Sequence, residues 1–164
     1  MPAPRVLDSC DGWLLLSGLP GLPLHEALWK DRPGEIAEVI VDALRRLGDA
    51  GVTHGDMCLP NILGDPESGK LSGIVDWRYA GRYGREIDVA SAVWSCGFNG
   101  YGNAIAVTVL GGVGWPKCDA DEVERLSAVW MSTCPPHEPE ILTPRMPGVR
   151  IYSQPKMSVE GSRR

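Results

Sequence analysis

The sequence predicts an α+β fold, mostly helical, with a short β-hairpin. Three observations predict it. Between Glu35 and Leu47 the apolar residues Ile36, Val39, Ile40, Ala43, Leu44 and Leu47 are spaced 3, 1, 3, 1 and 3 apart, the stripe of an amphipathic helix. Around Glu86–Ser95 the residues Ile87, Ala90, Val93 and Trp94 repeat that spacing. Between these helices, two short apolar segments, Ile62–Leu63 and Leu71–Val75, flank a loop rich in Gly, Asp, Pro and Ser, the signature of a hairpin.

The other elements follow in chain order. Trp13–Leu16 is a short apolar run bounded by Asp11-Gly12 and Gly18, and reads as a buried strand. The LPGLPL segment after it reads as a turn-rich connector. Pro33 suits the first turn of the first helix, and Gly48 or Gly51 suits its exit. A further helix is predicted from Ala120 to about Trp130. Asp119 and Glu122 have capping-box spacing at its start, and Val123, Leu126 and Trp130 form its stripe. From Pro135 the character changes. Residues 135–164 hold six of the 14 prolines and five Lys or Arg against three Glu. This net of +2 leaves -7 of the overall -5 on residues 1–134. The expectation is one domain over 1–134 and a Pro-rich basic tail, irregular or disordered, over 135–164.

Bulk properties narrow the function classes. With 164 residues, 43% of them hydrophobic and 23% charged, the chain suits one globular domain. A net charge of -5 gives no sign of a nucleic-acid binder. An acidic surface suits a cationic substrate, or is simply a solvated face. Five cysteines without C-x-x-C spacing point to neither a disulfide framework nor a zinc site. No signal-peptide pattern or membrane-length apolar run is visible, so a cytoplasmic location is expected.

The stretch Thr53–Lys70, THGDMCLPNILGDPESGK, carries two hints of phosphate chemistry. GDPESGK has the spacing of a P-loop. Yet Leu71 follows where a Ser or Thr is needed, and the next segment is strand-like rather than helical. It reads as a hairpin loop with Lys70 in solvent. HGDMCLPN is more specific. His54, Asp56 and Asn61 form H-x-D-x-x-x-x-N, and Asp76 closes the following strand. Phosphoryl transfer needs a carboxylate to orient the attacking hydroxyl and accept its proton. It also needs an amide oxygen and a second acid to hold a magnesium ion on the phosphates.

HGDMCLPNIL followed by GIVDWRYAGRYGREIDVASAVWS resembles the aminoglycoside phosphotransferase family, from about Pro4 to Trp130 and most strongly from Val52 to Asn99. The resemblance implies a protein-kinase-like C-lobe (25–134) with only a remnant of the N-lobe sheet and hinge (4–24). It implies ATP and Mg2+ as cofactors and a small-molecule hydroxyl substrate, a cationic one such as an aminoglycoside among the candidates. Nucleic acid and membrane are not implied partners. Carried over, Asp56 would be the catalytic base, with Asn61 and Asp76 as magnesium ligands. Leu63 and Val75 would pack near the adenine and phosphates. Asp88 would brace the catalytic loop from below, and His54 would support it structurally. Trp77 reads as packing and Cys58 as a small loop residue, while His25 and His137 match nothing and read as surface residues.

The sequence departs from the family pattern in three ways. Lys30, Lys70, Lys117 and Lys156 all follow the hinge-like segment, so the Gly-rich loop and strand lysine of a kinase N-lobe are not found. The chain is therefore expected to be truncated, with weak activity or none. The helix ending near Leu47 runs almost directly into the HGD loop, without the helical insertion of aminoglycoside-modifying members. The tail is basic where such members have acidic helices. A catalytically impaired remnant serving as a binding or regulatory module is the alternative, with a P-loop nucleotidase third.

Overall fold

The computed structural model describes residues 3–10 and 13–133; Cys134, His137 and the predicted Pro-rich tail lie outside them. Its elements are β1 (Val6–Cys10), β2 (Trp13–Leu16), β3 (Leu22–Pro23), α1 (Pro33–Asp49), β4 (Ile62–Asp65), β5 (Lys70–Ile74), α2 (Arg85–Phe98), α3 (Gly102–Gly112) and α4 (Ala120–Thr133). Four helices stand beside two small antiparallel sheets, one of order β1-β2 and one of order β3-β4-β5. The predicted α+β class holds.

The periodic residues of α1 are all buried, joined by Ala37. Fully burying each Ile or Leu contributes roughly 1.5–3 kcal/mol, against about 0.3–0.5 kcal/mol for an exposed i,i+4 ion pair such as Asp42–Arg46. Burial therefore holds this helix. Pro33 occupies its first turn, and the exit falls at Gly51, whose φ of +65° is left-handed. There the Val52 N–H reaches back to the Leu47 carbonyl at 3.1 Å, closing the helix directly before the HGD loop.

Helix α2 is central. Ile87 to Val93 are all buried, together with Ser95 and Cys96, so its polar residues lie inside the protein with its apolar ones. Burial pushes the Cys96 thiol up to about 12, which makes it an inert core residue. Helix α2 packs against α1, α3 and α4.

Helix α3 is absent from the sequence-based reading. Its segment, GNAIAVTVLGG, is apolar almost all round, so no stripe announces it. Packing decides it: Ala106, Val109 and Leu110 are buried. Gly112 lets α3 approach α1 closely, because a Cβ there would meet the Val41 side chain, with Cγ1 at 3.1 Å. The Arg45 guanidinium of α1 donates to the Gly112 carbonyl at that helix end.

Two further corrections concern the N-terminal strands. Trp13–Leu16 is a strand as expected, but Leu15 and Leu16 are about half exposed, as are Val6 and Leu7 of its partner. Among the described residues β1 and β2 pair only with each other, and a two-stranded ribbon by itself offers little apolar surface to bury them. The LPGLPL segment is not purely a connector. It contributes β3, in which Leu22 pairs with Gly64 and Pro23 with Leu63. Only an edge strand tolerates that proline. Gly64 is needed for close approach: a Cβ there would come 2.6 Å from the ring of fully buried Trp29.

At the start of α4 the Asp119 carboxylate accepts the Glu122 N–H at 2.9 Å, the predicted cap. Glu122 does not complete a reciprocal box. It accepts Trp115 Nε1–H at 2.8 Å and the Arg125 guanidinium, which also reaches Glu86 of α2 at 3.0 Å. The bonds from Arg125 and Trp115 hold the Glu122 carboxyl down at about 2. A depressed carboxyl stabilises the folded state above its unfolded value of about 4.5, and this is lost as pH falls through about 2. Glu122→Gln is therefore expected to lower Tm at pH 7 and to flatten the acid limb of stability between pH 4.5 and 2. Thermal unfolding across that range, compared with wild type, checks it; parallel curves would contradict it.

Candidate active site

The HGD loop, from Thr53 to Asn61, lies between α1 and β4. Its entry is fixed by the Gly81 N–H on the Thr53 carbonyl at 3.0 Å and by the Thr53 hydroxyl on the Tyr83 carbonyl at 2.7 Å. Gly55 has φ +85°, and a Cβ there would sit 2.6 Å from the Tyr79 carbonyl oxygen. Both the turn and the space admit only glycine.

Helix α2 receives the loop from below. The two oxygens of Asp88 accept the His54 and Gly55 N–H groups at 3.0 and 2.6 Å. Ser91 Oγ accepts the Met57 N–H at 2.8 Å, and Ser95 Oγ accepts the Leu59 N–H at 2.9 Å. Asp88, Ser91 and Ser95 are all essentially inaccessible to solvent. Burial pushes the Asp88 carboxyl above its ordinary range, against the opposing pull of its two backbone donors.

His54 is fully buried. Its Nδ1 accepts the Asp56 N–H at 3.3 Å, so Nε2 carries the ring proton and donates to the Val75 carbonyl at 2.9 Å. The Val75 N–H in turn donates to the Asn61 carbonyl at 2.9 Å. Val75 is thus held at both ends by the loop, and Asp76 is the next residue. Asp76 adopts φ +59°, ψ +64°, and is the one non-glycine with positive φ among the described residues. Such a conformation costs on the order of 1–2 kcal/mol and is held by its surroundings. Its exposed carboxylate stands 3.7 Å from Arg78.

Asp56 itself is half-buried. Its Oδ1 is shielded from solvent and has no hydrogen-bond partner. An orphaned carboxylate oxygen is costly and calls for a functional reason. Asn61 donates Nδ2–H to the Asp56 backbone carbonyl at 3.0 Å, which leaves its Oδ1 as the acceptor. Asn61 Oδ1 and the Asp76 carboxylate are hard oxygen donors of the kind magnesium takes, and are the residues that would hold it. Among the described residues no group of three or more His, Cys, Asp or Glu is placed to hold a metal. A cation here would rely on this amide–carboxylate pair.

The remaining predicted residues divide. Leu63 is buried in the centre of the β3-β4-β5 sheet, and Val75 is half-buried at its end. Trp77 packs its ring edge-on to His54 at 4.8 Å and donates Nε1–H to the Ile74 carbonyl, the packing role expected of it. Cys58 is half-buried with its sulfur 3.8 Å from the Ser91 carbonyl. His25 is not a plain surface residue: its Nδ1 is buried and unpartnered. GDPESGK is the hairpin turn between β4 and β5. Asp65 accepts the Glu67 N–H and the Ser68 hydroxyl, and Lys70 opens a strand rather than a helix. A cleft of about 540 Å3 near Trp77 is lined by Gly51, Val52, Thr53, Ala80 and Gly81 and includes none of Asp56, Asn61 or Asp76.

Sequence reasoning missed Ser91 and Ser95. A signal existed: D-x-x-S-x-x-x-S puts three hydrogen-bonding side chains on one face of a helix otherwise rich in buried apolar residues.

A helix-braced HGD loop followed by a hairpin that ends in an acid is the pattern expected of a kinase-like phosphotransferase. The model of the phosphotransferase enzyme family, APH, matches residues 22–126. The chain belongs to this family. No curated protein matches it significantly.

Proposed function

We propose that the chain is an ATP- and magnesium-dependent phosphotransferase that moves the γ-phosphoryl group to a hydroxyl of a small molecule. The observation that carries this reading is Val75, held by His54 on one side and Asn61 on the other, so that Asp76 follows beside the Asp56–Asn61 loop. Asp56 orients the substrate hydroxyl and takes its proton as the oxygen bonds to the γ-phosphorus. The bond from that phosphorus to the β-phosphate oxygen breaks, and ADP leaves. Magnesium, held by Asn61 and Asp76, would neutralise charge on the phosphates. Leu63 and Val75 form the apolar wall for the adenine. An acidic chain suits a cationic acceptor such as an aminoglycoside. A cytoplasmic location belongs to the same proposal; among the described residues no helix is long and apolar enough to cross a membrane.

One observation favours a second reading, a binding or regulatory module. Of the lysines described, Lys70 begins the far end of the hairpin, Lys117 pairs with Asp119 and Asp121, and Lys30 follows a short turn before α1. None of these described lysines lies in the HGD loop or in β1 or β2, whereas a kinase-like site sets a strand lysine on its phosphates.

Calorimetric titration with Mg-ATP tests the metal assignment. Asp76→Asn is expected to weaken binding roughly tenfold or more, since even residues that only support metal ligands cost 10–100-fold. Equal affinity in wild type and variant would remove Asp76 from the site.

A further inference from the structure

We infer that Ser91 and Ser95 are positioning residues that set the spacing between Asp56 and Asn61. The inference rests on the phosphotransferase reading above.

Asp88, Ser91 and Ser95 lie at i, i+3 and i+7 on α2, one stripe about 10 Å long at 1.5 Å per residue. Against it run the N–H groups of Gly55, Met57 and Leu59, every second residue of the loop. The intervening Asp56 sends its own N–H to His54 instead. Fully extended, the five-residue step from His54 to Leu59 would reach about 17 Å. The stripe therefore holds the loop contracted and in a defined register.

The serines are not used as helix serines ordinarily are. A helical serine hydroxyl commonly donates to a carbonyl one turn back, as Ser127 does to Val123 at 2.7 Å. Ser91 makes that bond too, to the Asp88 carbonyl at 3.1 Å, but spends acceptor capacity on Met57. Ser95 accepts both the Leu59 N–H and Asn99 Nδ2–H at 3.2 Å. With hydroxyls donating elsewhere or fixed by a second donor, both oxygens are oriented acceptors before any ligand arrives. Leu59 also carries the register onward. Its carbonyl and that of Ile62 share the Leu24 N–H, and the Leu24 carbonyl accepts the Tyr101 hydroxyl at 3.3 Å. Asp56 lies between the Asp88 and Ser91 contacts; Asn61 follows the Ser95 contact by two residues. A shift of either serine contact changes the distance between the base and the amide that the reaction needs together.

The test combines residue-resolved amide exchange with Mg-ATP titration and phosphoryl transfer on wild type, Ser91→Ala, Ser95→Ala and the control Ser127→Ala. Met57 is expected to exchange at least about tenfold faster in Ser91→Ala only, and Leu59 in Ser95→Ala only. Mg-ATP affinity is expected to fall roughly tenfold in Ser95→Ala, whose contact lies two residues from Asn61, phosphoryl transfer to fall at least about tenfold in both, and both readouts to be unchanged in Ser127→Ala. If Ser91→Ala does not fold, Ser91→Cys, which keeps a weak acceptor, is expected to show the same local effect at smaller size. Wild-type transfer and affinity in both serine variants, or faster exchange spread evenly over the domain, would overturn the positioning role alone. A wild-type chain with no affinity for Mg-ATP would overturn the phosphotransferase reading, and the positioning role with it.

Discussion

Asp88→Ala is expected to remove much of the stability of the domain. The carboxylate is 1% exposed and is the acceptor for the His54 and Gly55 N–H groups. Each buried donor left unpaired costs about 1–3 kcal/mol, so the pair costs roughly 2–6 kcal/mol. A domain of this size has on the order of 5–15 kcal/mol in all. Urea denaturation should show a much lower midpoint, and a loss below about 1 kcal/mol would contradict the bracing role. Asp88→Asn should lose less, because its amide oxygen still accepts one donor. Burial raises the Asp88 carboxyl, so the folded chain binds this proton more readily than the unfolded one. That contribution is full below the ordinary value of 3.8 and is lost as pH rises through the raised value. Its sign is opposite to that of Glu122, and Asp88→Asn should abolish it.

Much of this arrangement is legible in the sequence because it depends on local patterns. Helix α1 announces itself by its stripe, and β4 and β5 by the turn chemistry between them. The ordered set His54, Asp56, Asn61 and Asp76 points to phosphoryl chemistry, and the family match agrees. What is not legible depends on packing. Helix α3 has no polar face to set a period. Strand β3 is two residues long and exists only because β4 offers it an edge. The exposure of Leu15 and Leu16 in the two-stranded ribbon depends on tertiary surroundings, which a residue pattern cannot show. The roles of Ser91 and Ser95 emerge only when α2 and the loop lie side by side, since more than 30 residues separate each serine from its partner.

The second large effect concerns Asp56. Its Oδ1 is buried without a partner, an arrangement that costs stability. Asparagine keeps the shape but cannot take a proton from a hydroxyl. Removing a general base lowers the rate by typically 10²–10⁴. Asp56 is not assigned to the metal, so Mg-ATP affinity in Asp56→Asn should stay within about threefold of wild type. Its Tm should be equal or higher, because a site built for chemistry trades stability for it. The decisive measurement is therefore transfer of labelled γ-phosphate from Mg-ATP to a panel of hydroxyl acceptors, cationic ones included, by wild type and Asp56→Asn. The account predicts a labelled acceptor with wild type and at least about a hundredfold less with the folded, nucleotide-binding variant. Equal transfer by both, or binding of Mg-ATP by wild type with no transfer to any acceptor, would contradict it.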